Sequence, residues 1–351
     1  MGSIGVYVHI PFCARRCDYC AFATWTDRDH LIDDYLDALA LDIGRAVSAG
    51  MGPVASAFVG GGTPSRVPPA ALTAALAPLP LVDGAEVTVE CNPDDVDLEL
   101  LRTFCRGGVT RISLGVQSMA DHVLGSRGRA HDRANVERAV AAAREAGLDV
   151  NLDLIYGGAG ETLDDWRSTV EAVVGLAPDH VSAYALAVEP GTPLAGDPAR
   201  HPDDDDQADK YVIVDDLLGA AGYRSYEISN WARPGHECRH NLRYWRQGDY
   251  LGFGAAAHSH RGGRRWWNLR TPERWIGAVR SGTSTEAAAE ELDDDARRVE
   301  GLQLRIRTSD GVPAASVPDE VAHLTEVGPD GRARLTRNGR LLANEVAVRL
   351  R

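Results

Sequence analysis

Three cysteines fall within eight positions near the start of the chain, in Tyr7-Val-His-Ile-Pro-Phe-Cys13-Ala-Arg-Arg-Cys17-Asp-Tyr19-Cys20. Arg15, Arg16 and Asp18 mark the segment as an exposed polar loop, where clustered thiols mean metal or redox chemistry more often than disulfides. Thiolates at spacings x3 and x2 can hold three irons of a [4Fe–4S] cube and leave the fourth iron without a protein ligand. An electron-transfer cluster uses four cysteines, and no fourth lies nearby. An iron with open positions can bind a substrate or cofactor. The alternative is a structural zinc site, which needs a fourth ligand such as Cys238 or His240. Cys91, Cys105 and Cys238 read as plain buried or partly buried residues.

Further polar residues recur at the ends of apolar runs. Gly60-Gly61-Gly62-Thr63-Pro64 lets backbone approach a ligand, and its N–H groups are candidates to bind it. Glu90 and Gln117 end two successive runs and Asp153 lies in the next, and polar residues near the C-terminal ends of successive strands converge on one mouth. Arg129 is a candidate partner for a carboxylate.

The elements that must position these residues are strands and helices in alternation. Val6–Ile10, Ala57–Val59, Val87–Val89, Ile112–Val116, Val150–Ile155 and Val181–Leu186 are short β-branched runs, each followed by a helical pattern. Ile32, Leu36, Leu39, Ile43 and Val47 share one helix face, and Asp132 to Gly147 is a further helix ending at its glycine. Thr26 with Asp29, and Thr162 with Asp165, predict capping boxes. Six such units predict a parallel sheet, either doubly wound or curled into a barrel, whose ligand site lies where strands end. After Pro190 the rhythm changes: His201–Asp206 is acidic, Ala208–Ala221 is helical, and Tyr223–Arg270 is rich in Trp, Tyr, Arg and Gly. The expected division is a core barrel over 1–230, an irregular segment over 231–284 and a small C-terminal domain over 285–351.

The 351 residues carry 37 Lys+Arg against 51 Asp+Glu, net −14, with no basic block, which argues against a nucleic-acid partner. The longest uncharged stretch, Ala46–Ser65, holds five glycines and two prolines and is no membrane span. No secretory signal is visible in the first residues, so a cytoplasmic location is expected.

Cys-x3-Cys-x2-Cys with an aromatic at Tyr19, after a strand, resembles the radical S-adenosylmethionine (SAM) superfamily. That resemblance implies a partial (β/α)6 barrel and a small C-terminal α+β accessory domain. It also implies a [4Fe–4S] cluster on Cys13, Cys17 and Cys20 with SAM on the open iron, whose reductive cleavage yields a 5′-deoxyadenosyl radical. Tyr7-x-His-Ile-Pro-Phe-Cys, Gly-Gly-Gly-Thr-Pro-Ser, Glu-x-Asn-Pro, Gly-Val-Gln-Ser and Asp-Leu-Ile-Tyr-Gly are similar to the oxygen-independent coproporphyrinogen III oxidase family, which includes haem chaperones. The match implies that Tyr7, Tyr19, Gly61, Gly62, Thr63, Glu90, Gln117, Arg129 and Asp153 line the SAM site, with Ala185 and His258 as further candidates.

Within that family, oxidases carry a further cysteine where this chain has Phe22, and a longer arm before the cluster than the twelve residues preceding Cys13. His240-Asn-Leu-Arg-Tyr244-Trp245 resembles the chaperones' His-Asn-x-x-Tyr-Trp signature, which makes His240, Tyr244 and Trp245 candidate haem contacts. The family's Tyr-Gly-Leu-Pro-Gly-Gln-Thr reads Tyr156-Gly-Gly-Ala-Gly-Glu161-Thr162 here. The resemblance therefore implies a haem chaperone that passes haem to an acceptor protein, needs an electron donor if SAM is cleaved, and can dimerise. The other reading it allows is an enzyme that decarboxylates two propionates of coproporphyrinogen III.

Overall fold

A computed structural model describes residues 2–350. β1 (Ile4–Ile10) leads through the cysteine loop to α1 (Ile32–Ser48), and the alternation continues with β2 (Val54–Gly61), α2 (Pro69–Leu76) and β3 (Leu81–Cys91). α3 (Leu98–Arg106), β4 (Arg111–Gln117), α4 (Asp121–Ser126), α5 (Arg133–Ala146), β5 (Asp149–Tyr156), α6 (Leu163–Leu176) and β6 (His180–Ala185) complete six parallel strands in chain order. α7 (Asp204–Ala220) precedes β7 (Arg224–Glu227) and β8 (Asn230–Ala232), and β8 pairs antiparallel with β6. α8 (Arg239–Trp245) leads to β9 (Tyr250–Phe253), which runs parallel to β1 on its other side. β10 (His258–Arg261), β11 (Arg264–Asn268) and β12 (Glu286–Glu291), with α9 (Pro272–Ser281) before the last, finish a 12-stranded sheet. The six-unit α/β fold read from the sequence is thus the fold found. The segment read as irregular supplies two helices, α8 and α9, and strands of the same sheet, and β12 is an edge strand of that sheet. A separate core forms only beyond it, around Ile306, Val321, Leu324, Ala333 and Val346.

The strands invert the usual barrel rule, in which bulky branched residues fill the interior. Val6, Val8, Val59, Val87, Val89, Ile112, Leu114, Val150 and Leu152 are buried in the main core. The alternate residues, among them Thr88, Glu90, Ser113, Asn151, Asp153 and Ser182, face a cavity instead. A period of two therefore puts apolar side chains under the helices and polar ones inside.

Local signals explain most helix ends. Thr162 and Asp165 cap α6 reciprocally, and Gly147 ends α5 in the left-handed region. Thr26 and Asp29 form no such box: Asp29 pairs with Arg66 across the cysteine loop, and α1 begins after a single 3-10 turn. The acidic run before Ala208 is helical from Asp204, since Asp203 caps it and acidic residues in a first turn complement the helix dipole.

Candidate active site and cofactor cavity

The cysteine loop is pinned at both ends. Phe12 is fully buried edge-on against Tyr35, and the Cys13 N–H donates to the Trp25 carbonyl at 3.0 Å. All three thiols are free and line the same cavity. Thr63 Oγ1 donates to Cys13 Sγ at 3.6 Å, and Arg129 Nη1 to Cys17 Sγ at 3.7 Å. Burial pushes the Cys13 and Cys20 thiols up; the Thr63 hydroxyl opposes this at Cys13, and the Phe22 N–H and Arg16 oppose it at Cys20. Donors aimed at sulfur favour thiolate, the form that binds metal. Among the described residues, the only three His, Cys, Asp or Glu groups with ligand atoms mutually within 4.8 Å are Asp149, Asp179 and His236. The thiols are therefore not gathered on a single ion, and Cys238, a possible zinc ligand by sequence, is buried with its sulfur on Glu86 (3.6 Å). Three separated thiols facing an open cavity fit a cluster with one iron left over better than a closed zinc site.

The triple glycine has a steric origin. A Cβ at Gly62 would lie 2.7 Å from the carbonyl oxygens of both Ile10 and Phe12, and Gly61 has φ +106 with the His9 ring 2.3 Å from its missing Cβ. The Gly61 N–H is held by Glu90 (3.0 Å), and those of Gly62 and Thr63 by Ile10 and Phe12 (2.7 and 2.8 Å). The N–H groups of Gly61, Gly62 and Thr63 are thus engaged within the protein, by Glu90, by the end of β1 and by Phe12 beside the cysteine loop.

One cavity of about 860 Å³ runs from the cysteines into the sheet's interior. Tyr7, Tyr19, Gly61, Gly62, Thr63, Glu90, Gln117, Arg129, Asp153 and Ala185 all line it, as do His240 and Tyr244. Burial and the neighbouring Asp153 raise Glu90 to about 7, against the pull of the Gly61 N–H. Asp153 is also raised by burial, although it accepts from Ser113 (2.6 Å) and Asn151 (2.8 Å). Arg129 bridges Asn92 and the Gly115 carbonyl, both at 2.8 Å, so the guanidinium is fixed beside Cys17. Gln117 takes φ +65, and its carbonyl is held by Arg127 Nη1 at 3.1 Å.

Two candidates lie elsewhere. Trp245 is half-buried on α8 and His258 stacks on Trp267 at 5.5 Å; neither lines the cavity. His240 lines it but is sealed. Its Nδ1 meets Ser56 Oγ at 3.1 Å, its Nε2 meets the Tyr244 hydroxyl at 2.8 Å, and its ring stacks on Phe58. Burial lowers its pKa to about 3, so the imidazole is neutral.

The sequence reading missed Glu86, whose carboxylate caps α8 by accepting the N–H groups of Arg239 and His240, each at 3.0 Å. No local signal marks it, because the cap comes from a strand 154 residues away. It also missed Thr88, Arg111, Asn151 and His180 on the cavity wall. Here a signal existed: in Val87-Thr88-Val89-Glu90 and Val150-Asn151-Leu152-Asp153 polar residues alternate inside apolar runs.

Comparison with known proteins agrees with this architecture. The profile of the Radical SAM superfamily matches residues 7–173. Coproporphyrinogen III oxidase from Escherichia coli superposes with a TM-score of 0.85 over 99% of this chain and 89% of its own, at 24% identity, which shows a shared fold. The class is therefore that of radical SAM proteins. Haem chaperone HemW of Mycobacterium tuberculosis is 42% identical over 97% of this chain and 93% of its own. That of Bacillus subtilis is 33% identical over 97% of both chains, and that of Escherichia coli 39% identical over 73% of this chain and 69% of its own. The chain belongs to the HemW haem chaperone family of the radical SAM superfamily.

Proposed function

We propose that this chain is a haem chaperone: it holds a [4Fe–4S] cluster on Cys13, Cys17 and Cys20 with SAM beside it, binds haem, and hands haem to an acceptor protein in the cytoplasm. The observation that carries the reading is the single cavity that the three thiols, the fixed Arg129 guanidinium and the Glu90/Asp153 carboxylates share. When bound, the cluster and SAM supply a one-electron centre beside a sulfonium.

The residues of the chain supply the rest. Thr63 and Arg129 aim donors at the Cys13 and Cys17 sulfurs, and Arg129 stands ready for a carboxylate close to Cys17. Glu90 and Asp153 offer acceptors for amino or hydroxyl groups in a buried setting, where such hydrogen bonds gain strength. Phe22 stands where oxidases of the family carry a further cysteine, so an aromatic ring replaces that sulfur at the mouth.

The test is an anaerobic titration of the cluster-reconstituted protein with hemin, followed at the Soret band, beside an assay of coproporphyrinogen III turnover. Saturable binding of one equivalent without turnover is expected. Turnover to protoporphyrinogen would overturn the chaperone reading in favour of the decarboxylating enzyme.

A further inference from the structure

The sealed state of His240 raises the question of where haem can first touch this protein. At 1% exposure, with both ring nitrogens engaged, the imidazole can reach an iron only after it gives up Tyr244 or Ser56. The cavity mouth has no such lock. Arg15 and Arg16 lie in the loop between the first two cysteines, both exposed and both on the cavity lining. Among the described residues neither forms an ion pair: Arg16 reaches only the Cys20 carbonyl at 3.4 Å, and the neighbouring Asp18 is committed to Arg200 at 3.1 Å. Asp94 and Glu189, the exposed carboxylates of the lining, belong to the loops after β3 and β6 and hold neither arginine. Beside the arginines Phe22 leaves 62% of its surface exposed at the same mouth. Two uncompensated cations and a bare aromatic ring on one loop, in a chain of net charge −14, suit a flat apolar anion.

We propose that haem is received at this mouth, its two propionates on Arg15 and Arg16 and a face of the macrocycle on Phe22, rather than through an iron bond to His240. The proposal rests on the haem-carrier reading above. Guanidinium matches carboxylate in charge and in fork geometry, and an aromatic ring covers a macrocycle face without coordinating its iron. Cargo held by its edge and one face keeps the axial position on the other face open, so an acceptor's ligand can bind the iron there before the chaperone lets go. A carrier that held the iron through imidazole would have to break that bond at transfer.

The test titrates the full-length, cluster-reconstituted protein anaerobically with hemin and with hemin dimethyl ester, for the parent, Arg15→Gln/Arg16→Gln and Phe22→Ala. Iron and sulfide content per chain checks that the loop still holds its cluster, and Phe22→Ala, outside the Cys-x3-Cys-x2-Cys span, keeps the proposal testable if the double variant loses it. Two exposed ion pairs predict hemin binding weaker by about tenfold in the double variant. The ester should bind the parent with the same deficit and lose nothing further in the double variant. Hemin binding by both variants at the parent's affinity would overturn this site alone, as would a Soret band displaced in His240→Ala, the mark of an axial imidazole. No saturable hemin binding by the parent would remove the carrier reading, and this site with it.

Discussion

Glu161, which stands where the family has glutamine, sits in a buried charge cluster, and replacing it with that glutamine is expected to destabilise this chain. Its side chain is wholly buried between Arg127 (3% exposed) and Lys210 (0%). One carboxylate oxygen accepts from Arg127 Nη2 at 3.2 Å; the other accepts the Gly157 N–H at 2.7 Å and lies 3.6 Å from Lys210 Nζ. Glutamine has one acceptor oxygen, so its amide NH2 must face either Arg127 or Gly157, two donors opposed. Lys210 keeps Asp206 (2.5 Å) and the Glu161 carbonyl (2.7 Å), whereas Arg127 keeps only carbonyls. Breaking a buried pair costs about 3–5 kcal/mol, a large part of a typical stability of about 5–15 kcal/mol. The damage also reaches the cofactor cavity, because Arg127 holds the Gln117 carbonyl in its left-handed conformation. Denaturation of Glu161→Gln can be followed by fluorescence, since Trp166 Nε1 donates to the Lys210 carbonyl at 2.8 Å and reports on the cluster. A stability loss below about 1 kcal/mol, in the range of surface pairs, would refute the assignment of Glu161 as a buried counter-ion to Arg127.

Other outcomes follow from the same geometry. Glu86→Ala strips α8 of its cap and leaves buried N–H groups unpaired, at a cost of about 1–3 kcal/mol; faster hydrogen exchange at Arg239 and His240 checks it. Glu90 has its folded pKa raised from 4.5 to about 7, so over that window the folded apo-protein keeps a proton that the unfolded chain has lost, and stability falls as pH rises. Glu90→Gln should flatten that limb relative to the parent; Glu227, also raised to about 7, contributes equally to both proteins and cancels. His240, lowered to about 3, gives the opposite limb, with stability lost as pH falls below 6.5, and His240→Asn should remove it. Gly62→Ala drives a methyl against two backbone carbonyls and should loosen the cysteine loop, read as lower iron and sulfide content after reconstitution.

Much of this protein is written in short-range pattern. The spacing of Cys13, Cys17 and Cys20, the six β-branched runs and the Thr162/Asp165 box are local features, and local geometry suffices to make strands, a cap and a loop from them. The sequence also placed Glu90, Gln117 and Asp153 at or near the C-terminal ends of strands, and parallel topology brings such ends together. What it could not determine depends on who meets whom across distance. Thr26 and Asp29 have the right spacing for a cap, but Arg66 claims Asp29 from another segment. The N–H groups of Gly62 and Thr63 are spent on Ile10 and Phe12, and Glu161 gains its counter-ions from α4's end and from α7. His240 is closed off by Ser56, Tyr244 and Phe58, of which only Tyr244 is near in sequence. Residue type and spacing thus set which chemistry the chain carries, because bonding geometry is local. Burial and hydrogen-bond partnership decided which of those groups are free to use it, because both are properties of the assembled interior.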